Sequence, residues 1–185
     1  EIASCLVGSE MCIRDRLNVV VIAESAPAGN AHDWDQASSL AALQAATGRT
    51  GASLQALLEA MPAWRAWTLS DRPPLVSAAE MAHERLALVG DAAHPMVPYL
   101  AQGAGMAIED AMALSEALGD AGAAAVPAAF ARYAAARWQR NARVQAKARR
   151  NGQIFHASGP VRLGRDLAMR TLGERLLDQP WLYGG

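Results

Sequence analysis

Cysteine is scarce in this sequence of 185 residues, which restricts the kinds of protein that it can encode. Only Cys5 and Cys12 are present, both close to the N-terminus. Two thiols in one short stretch make no disulfide framework, and no cysteine and histidine residues have the spacing of zinc ligands. We therefore expect a protein without a structural metal that works in a reducing compartment, the cytoplasm.

Long apolar runs and an excess of one charge are also absent. No run reaches the roughly 20 apolar residues that cross a bilayer, and the formal net charge is −1. The first residue is Glu1, and charged residues crowd the short apolar patch after it, unlike the basic start of a secretory signal. Composition thus favours neither a membrane nor a nucleic acid as partner. The apolar content of 52% permits a packed globular core.

The order of apolar patterns predicts a chain of mixed α and β structure. β-branched residues predict a buried strand at residues 17–23, and two more apolar runs predict strands at residues 63–69 and 85–89. Residues 25–34 contain proline and glycine and are expected to form a loop. Helices are predicted from apolar residues that share one face, at residues 35–46, 53–61, 106–118, 127–150 and 166–177.

Local signals predict where these helices begin and end. Ser53 is expected to cap the second helix. Pro127 suits the first turn of the long fourth helix, because proline has no N–H group to lose there. Asn151 and Gly152 are expected to end that helix. The last residues, WLYGG, are expected to face water.

Residues 85–110, RLALVGDAAHPMVPYLAQGAGMAIED, hold the most informative pattern. A strand that ends in Gly90 and Asp91 places a carboxylate where open parallel sheets bind ligands. The Asp91 carboxylate can accept hydrogen bonds from sugar or polyol hydroxyls. Small residues then let a flat ligand approach the backbone. Gly103 and Gly105 lead into a helix whose first N–H groups favour negative charge. The alternative is a tight strand-to-helix connection in which Asp91 is only a cap or an ion-pair partner.

This segment closely resembles the second flavin fingerprint of the single-component FAD-dependent aromatic hydroxylases. GDAAHPMVPYLAQG followed by AIEDA looks most like the branch of salicylate hydroxylase, 3-hydroxybenzoate 6-hydroxylase and hydroxynicotinate monooxygenase. Residues 18–20 (NVV), 67–75 (WTLSDRPPL) and 181–184 (WLYG) match the same branch. The resemblance implies an α/β fold, α+β in this part of it. This part would be the C-terminal portion of a Rossmann-like FAD-binding domain with part of the substrate sheet, followed by long C-terminal helices.

The resemblance also implies how the chain is divided. We expect a foreign leader, the remainder of the substrate-binding domain, the returning segment of the FAD-binding domain and a C-terminal helical region, at residues 1–16, 17–80, 81–118 and 119–185. The family's GxGxxG unit, and the His and Tyr that precede its substrate strand, have no counterpart in the sequence. We therefore expect only the C-terminal part of an enzyme, inactive alone and poorly soluble because strand edges and apolar faces are exposed.

Cofactor-binding residues follow from the same resemblance. They are Gly90, Asp91, Pro98, Gln102, Gly103, Ala104, Gly105 and Met106. Asp91 would bind the ribitol chain of FAD, and the region of Pro98 would lie over the isoalloxazine ring beside the substrate. The residues from Gln102 to Gly105 would line the pyrimidine edge. The N–H groups of Ala104, Gly105 and Met106 would face the flavin N1–C2=O end, where reduced flavin carries negative charge.

The implied reaction is hydroxylation of a phenolic or heteroaromatic acid with FAD, NAD(P)H and O2. The resemblance does not assign the ring substrate, the choice between NADH and NADPH or the oligomeric state. The alternative is a non-catalytic helical interaction protein, built on the arginine-rich helix at residues 127–150, that retains a vestigial flavin-binding strand.

Several other side chains have two interpretations. His94 is expected to structure its loop rather than act as a general base. Glu109 and Asp110 are expected to stabilise the first turn of a helix rather than serve as acid and base. The basic residues of the long helix are expected to pack or to face solvent rather than to bind nucleic acid. Three aromatic residues near helical spacing are expected in the core: Phe130, Tyr133 and Trp138.

Overall fold

The fold is given by a computed structural model that describes residues 4–8, 18–23, 36–119, 122–173 and 180–183. Its elements mix α-helices with short strands, which confirms the predicted fold class. The chain divides into two units, Glu1–Leu69 with Ile154–Arg175 and Ser70–Gln153 with Leu176–Gly185. This division does not test the predicted domain boundaries, which stay predictions.

The described strands pair two by two, and each pair is antiparallel. The pairs are β1 (Ser4–Gly8) with β2 (Asn18–Ile22), β3 (Gln36–Ser38) with β4 (Trp64–Ala66), and β5 (Ala82–His83) with β6 (Leu86–Ala87). The strands predicted at residues 17–23 and 63–69 are thus confirmed as β2 and β4. The strand predicted at residues 85–89 is shorter than expected and belongs to a hairpin rather than a parallel sheet. Its two-residue turn has Glu84 at φ +50°.

The predicted leader, residues 1–16, contains β1. Its backbone runs opposite β2, from Ser4 opposite Ile22 to Gly8 opposite Asn18. Pairing does not test whether this segment is foreign, so that expectation stays a prediction. The loop predicted at residues 25–34 lies outside the described residues.

The helices are longer than predicted at several ends. They are α1 (Leu40–Thr47), α2 (Ala52–Glu59), α3 (Gly103–Leu118), α4 (Val126–Phe155), α5 (Gly159–Leu172) and α6 (Pro180–Tyr183). None of those in the described part of the chain combines the length and apolar character that crossing a membrane requires. The helix predicted at residues 166–177 begins earlier than expected, at Gly159, with Pro160 in its first turn.

Two predicted starts in the first unit are wrong. The helix expected from residue 35 begins only at Leu40, because Gln36–Ser38 forms β3. Ser39 caps α1, since its side chain accepts a hydrogen bond from the Ala42 N–H at 3.1 Å. Ser53 is not a cap, because it lies inside α2, which follows Gly51 without a side-chain cap.

The core of the second unit forms where α4 packs against the segments that precede α3. Its buried residues are Leu75, Met81, Ala93, Tyr133 and Ala134. Tyr133 is 1% exposed, and its hydroxyl donates to the Leu88 carbonyl at 2.9 Å. Trp138 packs against this cluster and Phe130 is half-buried. Tyr133 and Trp138 therefore face the core, as predicted, whereas Phe130 is only half-buried and does not belong to this cluster.

Asn151 and Gly152 do not end the long helix, contrary to the prediction. α4 continues through both of them to Phe155. The Asn151 side chain donates to the Tyr99 carbonyl at 3.3 Å. A Cβ on Gly152 would stand 2.5 Å from the Tyr99 ring. The Asn-Gly pair is thus a point of close approach between α4 and the turn that carries Tyr99, rather than a helix stop.

The C-terminal residues are less exposed than their composition suggested. Leu182 is 5% exposed and shares a buried cluster with Met106 and Val144. The Arg143 guanidinium lies 4.2 Å from the centre of the Trp181 ring, a cation–π contact. The prediction of a water-facing end is therefore wrong for Trp181 and Leu182.

Candidate functional site

An open cleft in the second unit lies between the loop that follows β6, residues 88–102, and the start of α3. Its volume is about 470 Å³. The lining residues are mostly small or apolar and include one carboxylate: Asp91, Met96, Val97, Pro98, Ala101, Gly103, Ala104 and Ala107. Such a surface suits a ligand with a flat apolar part and hydroxyl groups.

The loop enters the cleft through a turn that glycine makes without strain. Gly90 is buried at φ +58°, and a Cβ on it would lie 3.1 Å from the Ala107 Cβ. The loop therefore passes directly against α3. The next residue, Asp91, is exposed at the cleft, and its Oδ1 lies 3.9 Å from where a Gly103 Cβ would stand.

The first turn of α3 leaves backbone donors free beside this carboxylate. α3 begins three residues before the predicted start, after Gln102, which provides no side-chain cap. Its first backbone bond runs from Met106 N to Gln102 O at 2.9 Å. The N–H groups of Gly103, Ala104 and Gly105 precede that bond and have no partner within the described ranges. Together with the helix dipole, they favour a ligand group with negative charge.

Met106 has a different place from the one predicted. Its N–H is bonded within the helix, and its side chain is 1% exposed beneath the cleft loop, packed with Val144 and Leu182. Met106 therefore supports the helix start and supplies no free donor.

Behind the cleft, Asp110 of α3 is a buried hub with no exposure. Its Oδ2 accepts from the Gly90 N–H at 3.2 Å and lies 2.6 Å from His94 Nε2. Its Oδ1 accepts from Arg137 Nε and from Asn141 Nδ2, each at 2.9 Å. Burial raises the pKa of the Asp110 carboxyl, but the hydrogen bonds outweigh it and lower the pKa to about 2.

Glu109 faces outward from the same turn of α3. It accepts from Arg140 Nε at 2.7 Å and from Arg137 Nη1 at 2.7 Å. The hydrogen bond from Arg140 holds the pKa of Glu109 below its usual value. The predicted role of Glu109 and Asp110 in a first helical turn is wrong, because α3 begins at Gly103 and has no acidic residue in that turn.

His94 agrees with its predicted role in structuring the loop. It is fully buried, does not line the cleft, and is held by Asp110. In the part of the chain that the structure describes, its Nδ1 has no hydrogen-bond partner. This leaves Nε2 as the natural donor to the carboxylate of Asp110.

Three buried polar residues of α4, at four-residue spacing, face the loop and α3. They are Arg137, Asn141 and Gln145. Arg137 and Asn141 bind Asp110. The Gln145 Nε2 donates to the Arg72 carbonyl at 2.9 Å and to the Pro95 carbonyl at 2.8 Å. This stripe was not predicted from the sequence, although its i, i+4, i+8 spacing is a signal for one helix face.

Comparison with known proteins decides the family. The chain matches the model of the FAD binding domain family over residues 11–148. This chain belongs to that family. The predicted family and its cofactor, FAD, are confirmed.

Relatives of this FAD binding domain chain include several aromatic hydroxylases. It is 40% identical over 130 residues to 3-hydroxybenzoate 6-hydroxylase of Klebsiella oxytoca, covering 69% of this chain and 32% of the relative. It is 41% identical over 117 residues to 6-hydroxynicotinate 3-monooxygenase of Bordetella bronchiseptica, covering 60% and 30%. A salicylate hydroxylase substrate complex superposes with a TM-score of 0.77 at 26% identity, covering 100% of this chain and 45% of that one. The chain thus spans about a third of the length of these curated relatives.

The residues at the cleft fit the cofactor of the FAD binding domain family. Asp91 offers an exposed carboxylate for hydroxyl groups, and the free N–H groups of α3 offer donors for an electron-rich ring edge. Ala101, Gly103 and Ala104 leave room for a flat ring to approach the backbone.

The cleft gathers only some of the residues assigned from the sequence. Asp91, Pro98, Gly103 and Ala104 line it, whereas Gly90 lies buried behind it. Two others flank the helix start without lining the cleft, Gln102 and Gly105. Four lining residues were not predicted: Met96, Val97, Ala101 and Ala107.

Proposed function

We propose that this chain forms part of an FAD-dependent monooxygenase that hydroxylates an aromatic acid, phenolic or heteroaromatic, with NAD(P)H and O2. The observation that carries the proposal is the cleft of an FAD binding domain in which Asp91 stands beside the free N–H groups of α3. FAD would supply the redox chemistry, and the protein would bind, orient and shield it.

Each side of the cleft has a proposed role. The Asp91 carboxylate would accept hydrogen bonds from the ribitol hydroxyls. The N–H groups of Gly103, Ala104 and Gly105 would stabilise the flavin edge that gains negative charge on reduction. The wall at residues 96–98 would lie along the ring and the aromatic substrate, since its side chains are apolar.

The names of the relatives support the substrate class. One relative is a 3-hydroxybenzoate hydroxylase, another a 6-hydroxynicotinate monooxygenase, and the superposed structure is a salicylate hydroxylase. All three substrates are small aromatic rings that carry a carboxylate. We infer a substrate of this kind, in the cytoplasm. We also propose that the chain is divided into three parts. Residues 17–80 would be the remainder of the substrate-binding domain, residues 81–118 the returning segment of the FAD-binding domain, and residues 119–185 the C-terminal helical region.

The alternative, a helical interaction protein built on α4, has less support. Several of its arginines are engaged within the chain: Arg137 and Arg140 bind acidic residues of α3. Arg149 pairs with Asp71 at 2.8 Å, and Arg143 stacks on Trp181. These four arginines thus contact other parts of the same chain, as a packing helix requires.

A hybrid protein tests the proposed function. Residues 18–185 would replace the matching C-terminal part of the Klebsiella oxytoca 3-hydroxybenzoate 6-hydroxylase, so that the upstream part of an FAD enzyme is present. We expect a yellow hybrid that oxidises NADH or NADPH faster when a hydroxybenzoate is added. The intact relative is the control. A folded but colourless hybrid would overturn the proposal, and capture of a specific partner by residues 126–155 alone would favour the alternative.

A further inference from the structure

The fully buried side chain of Gln145 donates hydrogen bonds to two backbone carbonyls. It has no exposure on α4, and its Nε2 donates both of its hydrogens, to Arg72 O at 2.9 Å and to Pro95 O at 2.8 Å. Its own Oε1 has no partner among the residues that the structure describes. The reverse amide orientation would set Oε1 against two carbonyl oxygens, so the hydrogen-bond pattern fixes how the amide points.

The two carbonyls belong to segments that meet beneath the cleft. Pro95 lies between two buried residues of the loop, Ala93 and His94, and the wall at residues 96–98 that lines the cleft. Arg72 also donates from its guanidinium to the Ala93 carbonyl. Gln145 thus joins α4, the extended segment at Arg72 and the loop at the residue that precedes the wall.

Asp110 and Gln145 hold different parts of the loop. Asp110 binds Gly90 and His94, which lie on either side of Asp91. Among the described residues, no hydrogen bond joins Asp110 to the loop beyond His94. Within the described ranges, the side chain that donates to the Pro95 carbonyl is that of Gln145. Asp91 and the wall are therefore anchored separately.

We propose that Gln145 is a positioning residue that fixes the cleft wall at residues 96–98 through the Pro95 carbonyl. The inference rests on the proposed function, since it assigns this wall to the flavin ring. A buried amide whose oxygen is left unpaired is a poor choice for stability alone. The same amide is well suited to holding a backbone in one position, because it donates to two segments at once.

The test compares two methionine substitutions on α4 in the hybrid. Gln145→Met keeps the length of the side chain but removes both donors. Gln139→Met is the matched control, because Gln139 is exposed on the same helix. We expect Gln145→Met to raise the dissociation constant for FAD about tenfold, the effect of losing roughly one hydrogen bond's worth of positioning. We also expect the visible absorption bands of the bound flavin to shift at saturating FAD. Gln139→Met should change neither.

The outcomes separate this inference from the proposed function. An unsubstituted hybrid that binds no FAD would overturn the proposed function and the inference with it. If the unsubstituted hybrid binds FAD and Gln145→Met binds it with equal affinity and an unchanged spectrum, only the inference is wrong. Should Gln145→Met not fold, Gln145→Asn is measured in the same way, since it keeps an uncharged amide but is one CH2 group too short to hold both carbonyls as Gln145 does. Failure of both to fold would assign Gln145 to folding rather than positioning and would equally overturn the inference.

Discussion

Asp110 illustrates at the residue scale how one buried carboxylate can organise a site that it does not line. Its two oxygens bind the loop at Gly90 and His94 and bind α4 at Arg137 and Asn141. A buried charge is tolerated only when it is paired and fully hydrogen-bonded. Asp110 meets that condition, so removing its charge affects both the loop and the helices.

We expect Asp110→Asn to destabilise the hybrid by about 3 kcal/mol, since it removes a buried charge that Arg137 pairs with and sets an NH2 group against buried donors. Urea unfolding measures the change. Asp166→Asn on α5 is the control, because Asp166 pairs with Arg165 and Arg162 at the surface, where ion pairs contribute little. Equal unfolding midpoints for the two variants would contradict the role given to Asp110.

The pKa of Asp110 also predicts a pH dependence. Its folded value, about 2, is below its usual value of 3.8. The ionised form therefore stabilises the fold at any pH above about 4, and this contribution is lost as the pH falls from about 4 to about 2. It amounts to about 2 kcal/mol. Urea unfolding at successive pH values should show a steeper acid loss for the unsubstituted hybrid than for Asp110→Asn. Parallel profiles would count against it.

The residues that the sequence revealed and those that it missed differ in one physical respect. Asp91, Gly103 and Ala104 belong to one contiguous motif, so their proximity follows from local chain geometry. Gln145 contacts Arg72 across 73 positions. No local pattern specifies such a pair, because it depends on how α4 packs against the loop.

For helices and strands, too, local sequence patterns predict only what does not depend on tertiary packing. The strand at β2 and the long α4 were predicted because periodicity and β-branching are local properties. The predicted end of α4 is wrong, because glycine, which often ends a helix, lies inside this one at residue 152. The reason for a glycine there is tertiary, the ring of Tyr99 against the helix backbone. Leu182 was likewise placed in water although it packs in the core.

Two glycine-to-alanine substitutions test this account of α4. Alanine is favoured over glycine within a helix by up to ~1 kcal/mol. At Gly164 of α5, where a Cβ meets nothing within 4 Å, we expect the substitution to stabilise the hybrid by about 0.5–1 kcal/mol. At Gly152 the Tyr99 ring must move, and overpacking should outweigh propensity to give a net loss of about 1 kcal/mol. Thermal unfolding distinguishes the two, and a gain at both positions would refute the contact.

At the scale of the whole molecule, the chain carries apolar side chains that its own fold leaves exposed. Val76 is 74% exposed, Leu163 71%, Ile108 63% and Met112 61%. The expectation that the 185-residue chain is poorly soluble alone remains a prediction, and these residues support it. Size-exclusion chromatography and calorimetry test it. A soluble monomer that unfolds cooperatively would contradict it.

We propose that the cleft between the loop and α3 binds FAD, and removing the Asp91 carboxylate tests this proposal directly. We would titrate FAD into the hybrid, its Asp91→Ala variant and its Glu116→Ala variant, since Glu116 is an exposed carboxylate near the far end of α3. We predict that Asp91→Ala weakens binding by about 2 kcal/mol, roughly 30-fold, through loss of charge-assisted hydrogen bonds, while Glu116→Ala binds like the unsubstituted hybrid. Equal affinity of all three proteins would contradict the assignment of the cleft.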